Sequence, residues 1–300
     1  MISLQDKAPG IITRNGTHYI FKRQHKDAEI IIIVHGIGGY HAQFQKLSDH
    51  MVNAGYSVLL YDLIGRGFSS FPENSVFDGE AHILQLRSLV EELRLHDRDG
   101  KQYHLIAHSM GGALATLYTE RYHKDIKTLI LLSPAGLMDL GPLNLIRGCC
   151  SCFQGILKRF VALGQENAWR KDFVSSRSNA ENEIVAQLHE INKLNPQMFD
   201  AFWLSALQFP LSNIDTSVQN VAALSNIPVL VMWGTLDSAV PYNPSFNRWK
   251  KYFEEPFTNR ICRFKVYEGF GHGFFLENPL AVHADIVDFL ENVLLSVNIT

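Results

Sequence analysis

The chain has 300 residues, of which 46% are hydrophobic and 19% are charged, and its formal net charge at pH 7 is −3. This composition is typical of a globular protein with a large core, and the near-neutral charge gives no basic surface for nucleic acid. The sequence has no apolar run long enough to span a membrane, no apolar secretory segment near its start, and no disulfide framework among its four cysteines. We therefore expect a cytoplasmic protein that binds no nucleic acid.

Strand and helix patterns alternate through the first 134 residues, which predicts an α/β protein with a mostly parallel sheet. The Asn15-Gly16 pair predicts a hairpin at the start of the sheet. Further strands are predicted at residues 30–34, 57–61, 103–107 and 128–132, and helices at residues 41–53, after Asp78, and at residues 110–122.

The alternation stops between residues 135 and 225, where helical patterns occur without a convincing strand. It resumes with strands at residues 228–233 and 261–267, a helix at residues 246–253 and a closing helix after Pro279. The simplest interpretation is a helical insertion between two strands of one sheet. We therefore expect a core built from residues 1–134 and 226–300, with a helical cap at residues 135–225.

Residues 105–114 read LIAHSMGGAL and approximate the G-x-S-x-G elbow, in which a tight strand-to-helix turn presents a serine nucleophile. Ala107 replaces the first glycine, which adds one methyl group, while Gly111 and Gly112 keep the turn free of side chains. This pattern indicates that Ser109 is a nucleophile. The alternative is an unreactive serine in a glycine-rich helix start packed on a strand.

Three other features follow predicted strands. VHGIGG lies in a turn directly after a strand. The backbone N–H of Ile37 in this turn can face the oxyanion that would form when Ser109 attacks a carbonyl, as can the N–H of Met110, which follows the serine. WGTLDSAVP places Asp237 in a loop, and YEGFGHGFF places His272 between glycines. Each of these features alone fits an ordinary loop, but all of them lie directly after the carboxyl end of a predicted strand.

These motifs, together with YDLIGRGFSS at residues 61–70, make the chain resemble the α/β-hydrolases, in particular serine hydrolases of the monoacylglycerol lipase and carboxylesterase type. The order of Ser109, Asp237 and His272 is the order of the family's catalytic triad. The resemblance implies an α/β-hydrolase fold, a mostly parallel eight-stranded sheet with helices on both faces and a helical cap inserted after the sixth strand.

The same resemblance implies a role for each candidate residue. Ser109 is the nucleophile, His272 is the base and then the acid, and Asp237 orients the imidazole. The backbone N–H groups of Ile37 and Met110 form the oxyanion hole. The sequence contains no dinucleotide, phosphate or metal motif, so we expect no cofactor and no metal.

One stretch of the predicted cap, MFDAFWLSALQF, has a broad aromatic face at helical spacing. Packing of the cap on the core and a wall of the substrate pocket are both open interpretations of this face. The residues that we take as pocket candidates are Phe199, Phe202, Trp203 and Leu207.

A second stretch, PLNLIRGCCSCFQGILKRFVALG at residues 142–164, is apolar with interspersed basic residues. It could lie at a membrane surface as a peripheral contact. Its clustered cysteines, which acylation could modify, are Cys149, Cys150 and Cys152. We favour a lid helix packed on the core, because Gly148 and Gly155 weaken a long surface helix.

The sequence therefore predicts a serine hydrolase that cleaves a carboxylic ester through an acyl-enzyme, with a lipophilic substrate such as a monoacylglycerol. Two alternatives stay open. A carbon–carbon bond hydrolase of vinylogous diketones resembles this chain in core and cap. A small-molecule receptor or scaffold would keep the same fold with little turnover, because fold alone does not set function.

Overall fold

A computed structural model of the protein describes residues 8–96, 100–149, 151–174, 179–224, 226–254 and 262–297. Its strands are β1 Ile11–Ile12, β2 His18–Lys22, β3 Ile30–Val34, β4 Ser57–Tyr61, β5 Tyr103–His108, β6 Ile126–Leu132, β7 Val229–Gly234 and β8 Cys262–Tyr267. Its α-helices are α1 Gln45–Asn53, α2 Gly79–Glu92, α3 Met110–Tyr122, α4 Pro142–Arg147, α5 Ser151–Leu163, α6 Gln165–Lys171, α7 Ala180–Leu194, α8 Met198–Gln208, α9 Asp215–Ala223, α10 Tyr242–Glu254, α11 Phe274–Glu277 and α12 Pro279–Val297.

The strands form one sheet in the order β1-β2-β4-β3-β5-β6-β7-β8. The β1–β2 and β2–β4 pairs are antiparallel, and every other neighbouring pair is parallel. The predicted mostly parallel, eight-stranded sheet is thereby confirmed. Because parallel strands end at the same edge of a sheet, the loops after β3, β5, β7 and β8 all emerge on one side of the molecule.

The central strand β3 shows how the sequence builds the core. Its run IIIIV is buried along its whole length, as expected for a parallel strand with helices on both faces. Side chains alternate along a strand, so Ile31 and Ile33 pack on one face while Ile32 and Val34 pack on the other.

Two helical layers cover the sheet. One face is covered by α1 and α12, which bury residues such as Ile286. The other face is covered by α2, α3, α9 and α10, which bury residues such as Val218 and Trp249. The helix predicted after Asp78 begins there, because the Asp78 side chain accepts the backbone N–H of Ala81 at 2.9 Å.

Between β6 and β7 the described residues form helices and no strand. The last of these helices, α9, packs on α3 and α10, and its Val218 and Val221 belong to the same apolar cluster as the sheet. The predicted cap boundary at residue 225 is therefore too late in the chain, because α9 belongs to a core layer. We place α4 to α8 in the cap.

The apolar side of α5 is exposed rather than packed. The exposed fractions are 47% for Phe153, 56% for Ile156, 67% for Phe160 and 84% for Leu163. The expectation that this lid helix packs its apolar side on the core is therefore wrong. The predicted acylation sites lie partly outside the described residues, since Cys150 and the Cys152 side chain are not among them.

None of the helices in the described ranges is both long enough and apolar enough to cross a lipid bilayer.

Candidate active site

Ser109 lies in the sharp turn between β5 and α3. Its backbone has φ 56° and ψ −123°, a strained conformation that lifts the side chain clear of the sheet. A Cβ atom on Gly111 would lie 2.5 Å from the carbonyl oxygen of His35, and one on Gly112 would lie 2.6 Å from the Cβ of Pro134. These two glycines therefore let α3 start close to the neighbouring loops.

Asp237 and His272 meet at the carboxyl edge of the sheet. Asp237 follows β7, and its Oδ1 accepts the backbone N–H groups of Ala239 at 3.0 Å and Val240 at 2.8 Å. Its Oδ2 lies 2.7 Å from Nδ1 of His272, in the loop after β8. Burial disfavours a charged imidazole, but the Asp237 carboxylate raises the pKa of His272 above its ordinary value. Asp237 thus fixes the orientation of the ring and stabilises its protonated form.

A cavity of about 370 Å³ brings these residues together. Ser109 and His272 both line it, although only 6% and 4% of their surfaces are exposed. The described residues show no hydrogen bond between the Ser109 hydroxyl and His272. Such bonds are often long in the free enzyme and shorten when substrate binds.

The peptide between Gly36 and Ile37 is oriented by a histidine. His35 Nε2 accepts the backbone N–H of Leu63 at 2.9 Å, so Nδ1 carries the proton and donates it to the carbonyl oxygen of Gly36 at 2.8 Å. Burial lowers the pKa of His35 to about 4, which keeps the ring neutral. Because the peptide is planar and trans, this bond directs the Ile37 N–H to the opposite side. Ile37 lines the cavity, and the Met110 N–H opens α3, where helical N–H groups lack intrahelical partners.

His108 supports the loop that carries His272. Its Nε2 lies 3.2 Å from the backbone carbonyl oxygen of His272, and the two ring centroids are 4.4 Å apart. Burial lowers the pKa of His108 well below its ordinary value, so the ring is neutral and donates from Nε2. This contact gives His108 a structural role beside the site.

The wall of the cavity is largely apolar, and α8 contributes Phe202 and Ala206 to it. The other predicted pocket residues, Phe199, Trp203 and Leu207, do not line the cavity, so this part of the prediction is wrong. These three residues are spaced four apart, so they share one face of α8, and Phe202 and Ala206 lie on a different face. Phe199 instead stacks on Phe202, with ring centroids 5.9 Å apart.

Helix α6 contributes polar groups that the sequence analysis missed. Gln165, Trp169 and Asp172, spaced four and three residues apart, line the cavity from one side of this helix. Within the described residues, the Trp169 indole N–H and the Asp172 carboxylate have no hydrogen-bonding partner. Burial raises the pKa of Asp172 to about 6. The segment QENAWRKD contains this spacing, but the pattern alone does not show which side of the helix faces a pocket.

A second buried cluster joins His18, His41 and Asp62, whose potential metal-binding atoms lie within 4.8 Å of one another. Asp62 Oδ2 lies 2.7 Å from His18 Nδ1 and 3.0 Å from His41 Nδ1. Asp62 also accepts the backbone N–H groups of His41 at 2.8 Å and Phe68 at 3.0 Å. Burial alone would raise the pKa of Asp62, but the histidines hold it well below its ordinary value. Since these hydrogen bonds use the atoms that would bind a metal, we interpret the cluster as a structural tie between β2 and the loop after β4.

The arrangement around Ser109 contains the parts that nucleophilic acyl transfer needs. The serine is on a strained turn, and a histidine with a supporting carboxylate lines the same cavity. The loop after β3 and the first residue of α3 supply two candidate backbone N–H groups, those of Ile37 and Met110. The apolar wall suits a substrate with a hydrocarbon part.

Comparison with known proteins agrees with this description. The sequence model of the Hydrolase_4 family, described as serine aminopeptidase, S33, matches residues 25–279. The chain is 27% identical to Lipase 3 of Moraxella sp. (strain TA144) over 213 residues, which cover 71% of this chain and 64% of the lipase. It is 26% identical to 2-hydroxy-6-oxo-6-phenylhexa-2,4-dienoate hydrolase of Comamonas testosteroni over 223 residues, which cover 72% of this chain and 73% of that enzyme.

Among solved structures, an esterase from Thermogutta terrifontis is similar with a TM-score of 0.72, covering 92% of this chain and 93% of the esterase at 20% identity. At that identity the similarity shows a shared fold. The sequence match to the Moraxella lipase spans less than two thirds of that lipase, whereas the family match spans most of this chain. The chain therefore belongs to the Hydrolase_4 family and has the α/β-hydrolase fold.

Proposed function

We propose that this protein hydrolyses a lipophilic carboxylic ester, such as a monoacylglycerol, through an acyl-enzyme on Ser109. One observation carries the proposal: Ser109 on its strained turn and His272, whose ring is held by Asp237, line the same largely apolar cavity. The similarity to lipases and to an esterase supports it.

In the proposed first step, Ser109 Oγ attacks the ester carbonyl while His272 Nε2 takes the hydroxyl proton. The negative charge that develops on the carbonyl oxygen is stabilised by the Ile37 and Met110 N–H groups. His35 holds the first of these in place through the Gly36 carbonyl. His272 then protonates the departing alcohol oxygen, and the acyl group remains on Ser109.

In the second step, water enters the cavity and attacks the acyl-enzyme, with His272 as its base. The carboxylic acid leaves, and the proton returns to Ser109 Oγ. The Asp237 carboxylate supports the imidazolium in both steps, which is consistent with its raising of the His272 pKa. The two proposed steps need no cofactor.

A carbon–carbon bond hydrolase is the second candidate, favoured by the similarity to the dienoate hydrolase of Comamonas testosteroni. A dienoate carries a carboxylate. The cavity wall includes the exposed Lys171, but also the unpaired carboxylate of Asp172 close to His272. Because like charges repel strongly in an apolar cavity, an uncharged ester suits this site better than an anionic substrate.

We also propose that the cap contacts a lipid surface through α5. Phe153, Ile156, Phe160 and Leu163 recur at three- and four-residue spacing and are all exposed. The helix carries two basic residues and no acidic one. Lys158 pairs with Asp200 of α8, and Arg159 leaves a positive charge that suits anionic lipid headgroups. Val161 of the same helix lines the catalytic cavity, so this surface adjoins the place where a lipid substrate would enter.

The proposed nucleophile can be tested with a fluorophosphonate probe and a series of p-nitrophenyl esters of increasing acyl length. We expect the wild-type protein to be labelled and to hydrolyse the series, and Ser109→Ala to lose both properties. Ser88→Ala, on α2 and away from the cavity, is the matched control and should keep both.

Continued labelling of Ser109→Ala would contradict the assignment of the nucleophile. Labelling without ester hydrolysis, together with turnover of a vinylogous diketone, would favour the carbon–carbon bond hydrolase. Tight binding of a small molecule with neither labelling nor turnover would favour a receptor.

A further inference from the structure

The polar groups of α6 lie in a largely apolar cavity. Asp172 ends this helix and offers an acceptor, and Trp169 offers an indole N–H donor one turn earlier. Neither group is satisfied by a described residue. An unpaired polar group in an apolar site costs free energy, which a bound ligand can recover by supplying the missing partner.

Asp172 lies close to the reacting histidine. The backbone carbonyl oxygen of Asp172 accepts the N–H of Gly273 at 2.7 Å, which attaches the end of α6 to the loop that carries His272. Asp172 and His272 also line the same cavity. Trp169 Nε1 lies near Gly38, in the loop after β3 that carries Ile37 (the proposed oxyanion loop), since a Cβ atom built on Gly38 would be 3.9 Å from it.

The chemistry of ester cleavage decides which part of the substrate meets these groups. His272 has to protonate the departing alcohol oxygen, so the alcohol part of the ester must lie beside His272. The acyl chain then lies against apolar residues of the wall such as Ala206 and Leu211. This inference rests on the proposed function, since it assigns the two ends of an ester within the cavity.

We propose that Asp172 and Trp169 bind a free hydroxyl group on the alcohol part of the substrate, so that the enzyme prefers esters of polyols over esters of simple alcohols. A hydroxyl donates to the Asp172 carboxylate and accepts from the Trp169 indole N–H, which satisfies both groups at once. A quaternary ammonium could match the charge of Asp172 but could not accept the indole N–H. A plain alkyl group would leave both groups unsatisfied.

The test compares three hexanoate esters that differ only in the alcohol: 1-glyceryl, propyl and choline hexanoate. We expect the wild-type kcat/KM for the glyceryl ester to exceed that for the propyl ester by about tenfold or more, since hydrogen bonds to charged groups reach that value. Asp172→Asn, which keeps the size of the side chain, should reduce this glyceryl-to-propyl ratio about tenfold.

Two further variants sharpen the comparison. Trp169→Phe removes the indole N–H and should also reduce the ratio. Glu166→Gln removes a carboxylate from the same helix that pairs with Arg170 instead of lining the cavity, and the ratio should stay at its wild-type value. Fluorophosphonate labelling of Ser109 in each variant shows that the site is folded.

A glyceryl-to-propyl ratio near one in the wild type, or a ratio unaffected by Asp172→Asn, would overturn the inference. A choline ester preferred over the glyceryl ester would also overturn it, in favour of a site for cations. In these cases hydrolysis of the propyl ester and labelling of Ser109 would leave the proposed function standing. The absence of both would instead mean that the proposed function itself fails.

Discussion

At the scale of single residues, the site contains two carboxylates in opposite situations. Asp237 accepts two backbone N–H groups and the His272 imidazole, so its negative charge is well compensated. Asp172 has no such partner among the described residues, and burial raises its pKa to about 6 from an ordinary 3.8. A buried carboxylate that lines the same cavity as His272, the proposed base, fits a binding role better than a structural one.

This difference predicts how Asp172 affects stability. Its folded-state pKa lies above its unfolded-state value, so its contribution to stability is fully present below pH 3.8 and declines as the pH rises through about 6. Asp172→Asn removes that decline. The measurement is the free energy of unfolding in urea for the variant and the wild type. We expect the difference, variant minus wild type, to be about 1 kcal/mol larger at pH 8 than at pH 5.

The groups that face Asp172 are His272, Asp237 and, at the cavity wall, Lys171. Glu166→Gln is the control. Because Arg170 lowers the pKa of the exposed Glu166, this variant should not gain stability relative to the wild type as the pH rises. A loss of stability in Asp172→Asn at pH 8 would show that the carboxylate is structurally compensated.

At the scale of elements, the exposed side of α5 leads to a prediction about membranes. The double variant Phe160→Asp/Leu163→Asp removes two apolar side chains, each worth about 1.5–3 kcal/mol when buried. We expect co-sedimentation with vesicles of phosphatidylcholine and phosphatidylserine to fall more than tenfold in this variant. Leu280→Asp, an equally exposed leucine on the core helix α12, should bind as the wild type does.

Vesicle binding that the double variant does not weaken would contradict a lipid-facing role for α5. If the wild type does not bind vesicles but elutes as a dimer, and the double variant elutes as a monomer, the same surface contacts a second copy of the chain instead.

The elements of the sheet could be predicted closely from the sequence. The strands at residues 30–34 and 57–61 and the helix at residues 110–122 have their predicted bounds. These segments are uniform β-branched runs or lie between strong turn signals, so local pattern and tertiary packing agree. The three candidate triad residues could also be named, because each follows another predicted strand, at residues 103–107, 228–233 or 261–267.

The cap could not be predicted at the same level. A helical pattern predicts that a helix is present, but it does not show which other elements the faces of that helix contact. The stripe of Phe199, Trp203 and Leu207 is as apolar as that of Phe202 and Ala206, and only tertiary packing chooses between them. The polar side of α6 was missed for the same reason, because one Trp and one Asp at helical spacing are ordinary in a surface helix.

At the scale of the whole molecule, one buried arginine connects the cap with the oxyanion loop. Arg66 is fully buried, and its guanidinium donates to the carbonyl oxygens of Ile37 at 3.2 Å and Ile64 at 2.9 Å and to Ser205 Oγ at 2.8 Å. Ser205 belongs to α8, whose Phe202 lines the cavity. No carboxylate in the described residues pairs with Arg66, and burial lowers its pKa to about 9.

This connection predicts that Arg66 and Ser205 stabilise the protein as a coupled pair. In a double-mutant cycle of Arg66→Met, Ser205→Ala and the combined variant, we expect a coupling free energy of about 1–2 kcal/mol in urea unfolding, the value of a buried hydrogen bond to a charged group. Arg66→Met should also lower kcat more than Ser205→Ala does, because it alone releases the Ile37 carbonyl and with it the oxyanion loop.

Arg66→Met combined with Ser88→Ala is the control and should be additive, since the two residues share no hydrogen bond. Additive effects of Arg66→Met and Ser205→Ala would mean that the cap is held on the core by its apolar contacts and its other hydrogen bonds, such as that from Asn195 to the carbonyl oxygen of Gly67 at 3.0 Å.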